Sequence, residues 1–192
     1  MRLLIGILFT FAFAATAGLG ATWLAASRGY GFGEVTVGTW TAAPRMGSAD
    51  IDPFGRAALA RSGELPLGSG DGITFLARTD DDGNPLDGRC EITVAGSTPL
   101  ARYWTLTLYT PDGHLAPNAL SRYGFTSAET VRAGDGSFSI VVAPRSRPGN
   151  WLPSGGVQRY LLALRFYDTS VGVTAHVGRE ASMPTVKRGA CP

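Results

Sequence analysis

The chain has 192 residues, 44% of them hydrophobic and 17% charged, with 26 glycines and 12 prolines; this composition excludes a disordered or fibrous protein and fits a turn-rich globular one. Its net charge of +2 comes from sixteen arginines and the single lysine Lys187 set among fifteen acidic residues. No cluster of like charge or basic helical stripe occurs, so the electrostatic footprint of a nucleic-acid binder is missing.

Residues 3–27 carry no charged side chain and are mostly apolar. As a helix they would extend about 37 Å, enough to cross a hydrocarbon core of about 30 Å. Two readings fit. In one, residues 1–28 are a transmembrane anchor whose partner is the lipid bilayer, with Trp23 and Tyr30 at the interface. In the other, Arg2, the apolar run Leu3 to Phe13 and the Ala15-Thr16-Ala17 site form a cleaved signal peptide. The apolar residues Leu19, Trp23, Leu24, Ala25 and Ala26 continue beyond that site and favour the anchor. Gly18, Gly20, Thr16 and Thr22 dilute it. Gly29, Gly31 and Gly33 follow this segment rather than a strand, so they read as a linker and not as a phosphate cradle.

The rest of the chain, 29–192, is the length of one domain with an ordinary core. Glu34 to Trp40, with Val35 and Val37 in alternation, predicts a short strand. Asp52-Pro53 predicts an N-cap and first helical position, opening a short helix through Arg61 that Gly63 stops. From there the period is two: Ile73 to Ala77, Glu91 to Ala95, Tyr103 to Tyr109, Gly136 to Val142 and Arg159 to Asp168, separated by Gly, Pro, Asp and Asn. In the third, Trp104, Leu106 and Leu108 share the core face. The last is apolar on both faces, which predicts a central, covered strand interrupted by Arg165. That arginine is expected to find an internal carboxylate such as Asp168 or Glu91. The fold class is mainly β: a sandwich or jelly roll with one short helix, preceded by the N-terminal transmembrane helix.

Two cysteines, Cys90 and Cys191, form neither a CxxC pair nor a zinc ligand set. A disulfide is their simplest joint role, against the alternative of two buried thiols. It would need an oxidising compartment. The N-terminus is therefore expected in the cytoplasm and the domain outside, in a bacterium a single-pass inner-membrane protein facing the periplasm; the cleaved form would be soluble there. Charge does not fix the orientation, since Arg2 and the amino terminus oppose Arg28 and Arg45.

The motifs Pro85-Leu86-Asp87-Gly88, Tyr103-Trp104-Thr105-Leu106-Thr107-Leu108-Tyr109 leading to Asp112-Gly113, Asn118, Arg122-Tyr123, Asp135-Gly136-Ser137, Asn150-Trp151-Leu152-Pro153 and Leu164-Arg165-Phe166-Tyr167 stand in one order. Together they resemble the bacterial family known as domain of unknown function 1214, over roughly residues 70–186. The resemblance implies a β-sandwich of jelly-roll type and an envelope location, and it supplies no reaction. Longer relatives place a domain numbered 1254 first; the chain resembles the short, membrane-tethered form without it.

Asp80, Asp81, Asp82 and Gly83 suggest a calcium loop, but aligning Gly83 with the EF-hand's sixth position places Arg78 and Arg89 where acidic ligands are required. A solvated hairpin turn is the better reading. His114 and His176 stand in no ligand spacing, Ser154 in no G-x-S-x-G elbow, and Lys187 in no S-x-x-K. No metal or cofactor is expected. The stretch Pro144 to Gly156 holds three prolines, three glycines, Arg145, Arg147, Asn150 and Trp151. Such a connection is often functional. With Arg165, these four residues form the candidate ligand set, an aromatic plane beside guanidinium groups suited to a glycan or small anion. The opposing reading has Trp151 plugging the sandwich edge and Asn150 capping a turn. The expected role is an envelope-associated binding or structural module; the alternative is a periplasmic carbohydrate- or ester-active enzyme with a carboxylate acid and base.

Overall fold

The computed structural model describes residues 2–28, 33–62, 65–170 and 182–192. Gly29, Tyr30, Gly31, Gly63 and His176 lie outside them. The first element, α1 (Arg2–Arg28), is a helix whose large side chains are exposed, Phe9 and Phe11 among them, so it is not part of the domain core. Its stretch Arg2–Ala25 is long and apolar enough to cross a membrane. The hydroxyls of Thr10, Thr16 and Thr22 donate to the carbonyls of Gly6, Ala12 and Gly18, so each is satisfied within the helix, as a hydrocarbon environment requires.

The single strand expected at Glu34 to Trp40 is instead a hairpin of β1 (Val35–Val37) and β2 (Trp40–Ala42). Gly38 is the cause: at φ 59° it opens a two-residue loop at the position where primed hairpin turns call for a glycine. The short helix forms as expected, as α2 (Pro53–Ser62). The Asp52 carboxylate accepts the amides of Phe54 and Gly55 at 2.9 and 3.0 Å, and Pro53 occupies the first helical position, where no amide is needed.

Eight further strands follow among the described residues: β3 (Gly72–Ala77), β4 (Ile92–Gly96), β5 (Ala101–Tyr109), β6 (Gly124–Thr126), β7 (Phe138–Ala143), β8 (Asn150–Pro153), β9 (Leu161–Thr169) and β10 (Thr185–Arg188). One sheet has the antiparallel order β1-β2-β3-β9-β5-β6, with β9 central as its two-sided apolar pattern predicts. The other has the order β10-β4-β7-β8, antiparallel except for β7 and β8, which run parallel. The buried faces of both sheets feed one core. Phe75 meets Phe166 edge-on within the first sheet at 5.9 Å, and Trp104 of β5 reaches Phe138 of β7 at 5.0 Å.

The C-terminal segment is fastened to the acidic turn and to Cys90. Asp80 is buried, and its carboxylate accepts the Asn84 amide at 2.8 Å, the Asp82 amide at 3.1 Å and the Arg188 guanidinium at 2.8 Å. Asp81 accepts the Val186 amide at 3.0 Å and donates its own amide to the Val186 carbonyl. The Arg188 guanidinium also reaches the Pro85 carbonyl, and Cys90 and Cys191 form a disulfide. The turn is thus not simply solvated, as the sequence suggested, because a distant arginine neutralises its first aspartate. In the chain-entropy picture a cross-link closing a loop of 101 residues contributes about 4–5 kcal/mol.

Burial pushes the Asp80 carboxyl up, but the Asn84 amide and the Arg188 guanidinium outweigh it and hold the group below the usual carboxylate range. A folded-state pKa below the unfolded value of about 3.9 means that the stabilisation is fully present above that value. It is lost as pH falls through the folded pKa. Asp80→Asn should therefore lower stability at neutral pH by about 2–4 kcal/mol, with a flatter acid limb below pH ~4, in denaturant titrations at successive pH values.

Candidate functional site

A groove of about 570 Å³ lies where the segment after β5 meets β8. Pro117, Asn118, Ala119 and Leu120 form one wall; Pro144, Trp151, Pro153, Gly155 and Gly156 form the other. Asn118 shapes the first wall: its amide nitrogen donates to the carbonyls of Ala116 and Arg122, and its oxygen accepts the amides of Leu120 and Arg122. In the second wall the half-buried Trp151 donates its indole N–H to the Ala143 carbonyl at 3.1 Å, which fixes the ring against β7. Gly155, at φ 65°, brings its backbone so close to the Pro117 carbonyl that a Cβ would collide with it, so the two walls meet only with glycine there. Ser154 is buried and donates its hydroxyl to the Gly88 carbonyl, so it is a structural serine. No titratable side chain stands among the described residues lining the groove.

Of the five candidate ligand residues only Trp151 lines this groove. The stretch Pro144 to Gly156 is not a free connection, for its second half is β8, an edge strand parallel to β7. Asn150 is buried and fully engaged: its oxygen accepts the Val131 amide at 2.9 Å, and its nitrogen donates to the carbonyls of Val131 and Ser139 at 2.8 and 3.0 Å. Arg147 pairs with Glu91 at 2.5 Å, tying the β7–β8 connection to the start of β4. Arg145 is exposed beside Pro144. Arg165 lies on the other sheet, between Thr74 and Thr105 in register, with its guanidinium 5.2 Å from the centre of the Tyr109 ring. Among the described residues the partner shown for it is this aromatic face, while Glu91 pairs with Arg147 and Asp168 with Arg102.

Sequence reasoning missed the wall at residues 117–120 and Arg122, which reaches the Trp151 carbonyl at 3.4 Å and covers the Phe125 ring. Asn118 and Arg122 stood in the family motifs, the one local signal that could have nominated them. His114 is exposed, 3.7 Å from Asp112, and no group of three metal-capable side chains occurs among the described residues.

The family model described as "Protein of unknown function (DUF1214)" matches residues 71–171, more than half of the chain. The chain belongs to this family. No curated protein matches it. Among solved structures, the VPA0106 protein of Vibrio parahaemolyticus is similar to this DUF1214 chain with a TM-score of 0.58 at 21% identity, over 73% of this chain and 36% of that one. A putative uncharacterized protein of Burkholderia cenocepacia is similar with a TM-score of 0.42 at 18% identity, over 93% and 53%. The DUF1214 chain thus spans about a third and a half of these relatives, and the first likeness shows the fold alone.

The hydrogen bonds separate structural from exposed positions in this DUF1214 chain. Asn150→Ala should cost about 2–3 kcal/mol, because it strands the Val131 amide and two carbonyls, whereas Arg145→Ala should stay within about 0.5 kcal/mol. Urea denaturation of the two variants checks both values.

Proposed function

We propose that the protein is a membrane-tethered, extracytoplasmic module of the bacterial envelope with a binding or structural role, held in the inner membrane by residues 3–27 with its domain on the periplasmic side. The observation that carries this reading is the combination of an exposed apolar helix with a domain whose C-terminal segment is locked by Cys90–Cys191. A structural disulfide belongs to an oxidising compartment, and the helix supplies a span. The two sheets then stack as a sandwich of jelly-roll type; their single shared core supports this.

For a ligand, the Trp151 groove is the favoured place and a glycan the favoured class. A sugar ring stacks on an indole face, and the Asn118 to Leu120 wall stands opposite it across the groove. A small anion would draw on Arg145, outside the lining. A carbohydrate- or ester-active enzyme would need an acid–base pair beside Trp151, where the described lining holds none.

Expression of the full chain in a bacterial host, followed by fractionation and intact-mass measurement before and after reduction and alkylation, tests the tether and the topology. The expected product is full-length, resists carbonate extraction and shows two thiols only after reduction. A soluble form shortened after Ala17 would remove the tether, and free thiols in a domain facing the cytoplasm would reverse the topology. If glycans bind in the groove, Trp151→Ala should weaken capture of envelope oligosaccharides about tenfold or more, the loss of one stacked aromatic face; unchanged capture would remove the groove from the reading.

A further inference from the structure

The helix α2 stands against the end of α1. The Arg61 guanidinium lies 4.4 Å from the centre of the Trp23 ring, and Trp23 is two residues from the end of the apolar stretch Arg2–Ala25. In α2, Gly55 is buried and Ala58 and Leu59 are half-buried, so that side of the helix is covered. Phe54, Arg56, Ala57, Ala60 and Arg61 remain exposed. This outward face mixes an aromatic ring, alanines and two arginines, with no acidic residue between Pro53 and Ser62. Asp52, the residue directly before the helix, is occupied as its N-cap. Three residues past the helix, Leu65 is 95% exposed.

From this geometry we infer that α2 is a surface-lying helix whose outward face docks on the anionic phospholipid headgroups of the bilayer that α1 crosses, with Arg56 and Arg61 as the headgroup ligands. The inference rests on the tethered reading above. An indole at the end of a span sits at headgroup level, so a guanidinium stacked on it sits there too. Arginine is suited to phosphate because its planar fork donates two parallel hydrogen bonds. The alanines can approach the headgroup boundary while the arginines, with their apolar stems beside them, stay among the phosphates. Two arginines beside an anionic surface favour the docked state in a manner that depends on lipid charge and is screened by salt.

The full chain is reconstituted into nanodiscs of phosphatidylcholine alone or with phosphatidylglycerol, and amide hydrogen exchange is followed across α2 and β9. With the anionic lipid, exchange over residues 54–62 should slow by about fivefold or more, and the effect should shrink in high salt, while β9 stays unchanged. The Arg56→Gln/Arg61→Gln double variant should lose the lipid dependence, and the Arg56→Lys/Arg61→Lys variant, which keeps the charge, should retain it. Exchange over α2 that ignores lipid charge in a chain retained in the discs overturns this inference and leaves the tether standing. Protection that follows the number of chains per disc would assign the face to a second copy and overturn it as well. A chain that leaves the discs overturns both readings.

Discussion

The return of the last strand to a turn formed about a hundred residues earlier is the constraint on which the second sheet depends. β10 is four residues long and buries only Val186, too little apolar surface to hold an edge position alone. Its place is set from both ends. Asp80 and Asp81 bond Arg188 and Val186 on one side, and the disulfide holds the residues beyond it to Cys90 on the other. With β10 held, β4 becomes an inner strand between β10 and β7, and Pro184 is brought to where its carbonyl accepts the buried Trp40 indole at 2.7 Å. A tryptophan from the other sheet, a polar turn and a cross-link thus hold successive stretches of residues 184–191.

The long strands were legible because their pattern is local. Trp104, Leu106 and Leu108 alternate over a nine-residue strand, and Leu162, Leu164 and Phe166 fill the core face of another whose opposite side carries the buried Ala163. The short strands were not. β2 lay beyond the expected strand, which ended at Trp40, because the reversal that creates it turns on one left-handed glycine. β8 carries Pro153 and follows Gly149, both turn signals, and is possible only as an edge strand beside β7. Asp80 looked solvated because the partner that decides its state, Arg188, is 108 positions away.

The candidate site was legible in part for the same reason. Trp151 stood out through its composition of prolines, glycines and aromatic surface, and it does line a groove. Its facing wall comes from another segment whose shape is set by the Asn118 side chain, and no periodicity announces that meeting. The neighbouring polar residues were chosen by proximity in sequence, but parallel pairing to β7 turns Asn150 inward to the Val131 segment. Arg147 leaves for Glu91. What reads as one cluster along the chain is distributed by the strand into three different environments.

The disulfide also divides the molecule mechanically. Residues 90–191 form a covalently closed ring, so a pull applied through α1 can extend the chain only as far as Cys90. The groove, built from residues 117–156, lies wholly within that ring. The first sheet is divided by the ring: β1, β2 and β3 lie on the arm between α1 and Cys90, and β3 is joined to the ring through its pairing with β9. Anything held in the groove is therefore carried by the part of the chain that cannot be drawn out, and the strands outside the ring act as the extensible link between it and the helix.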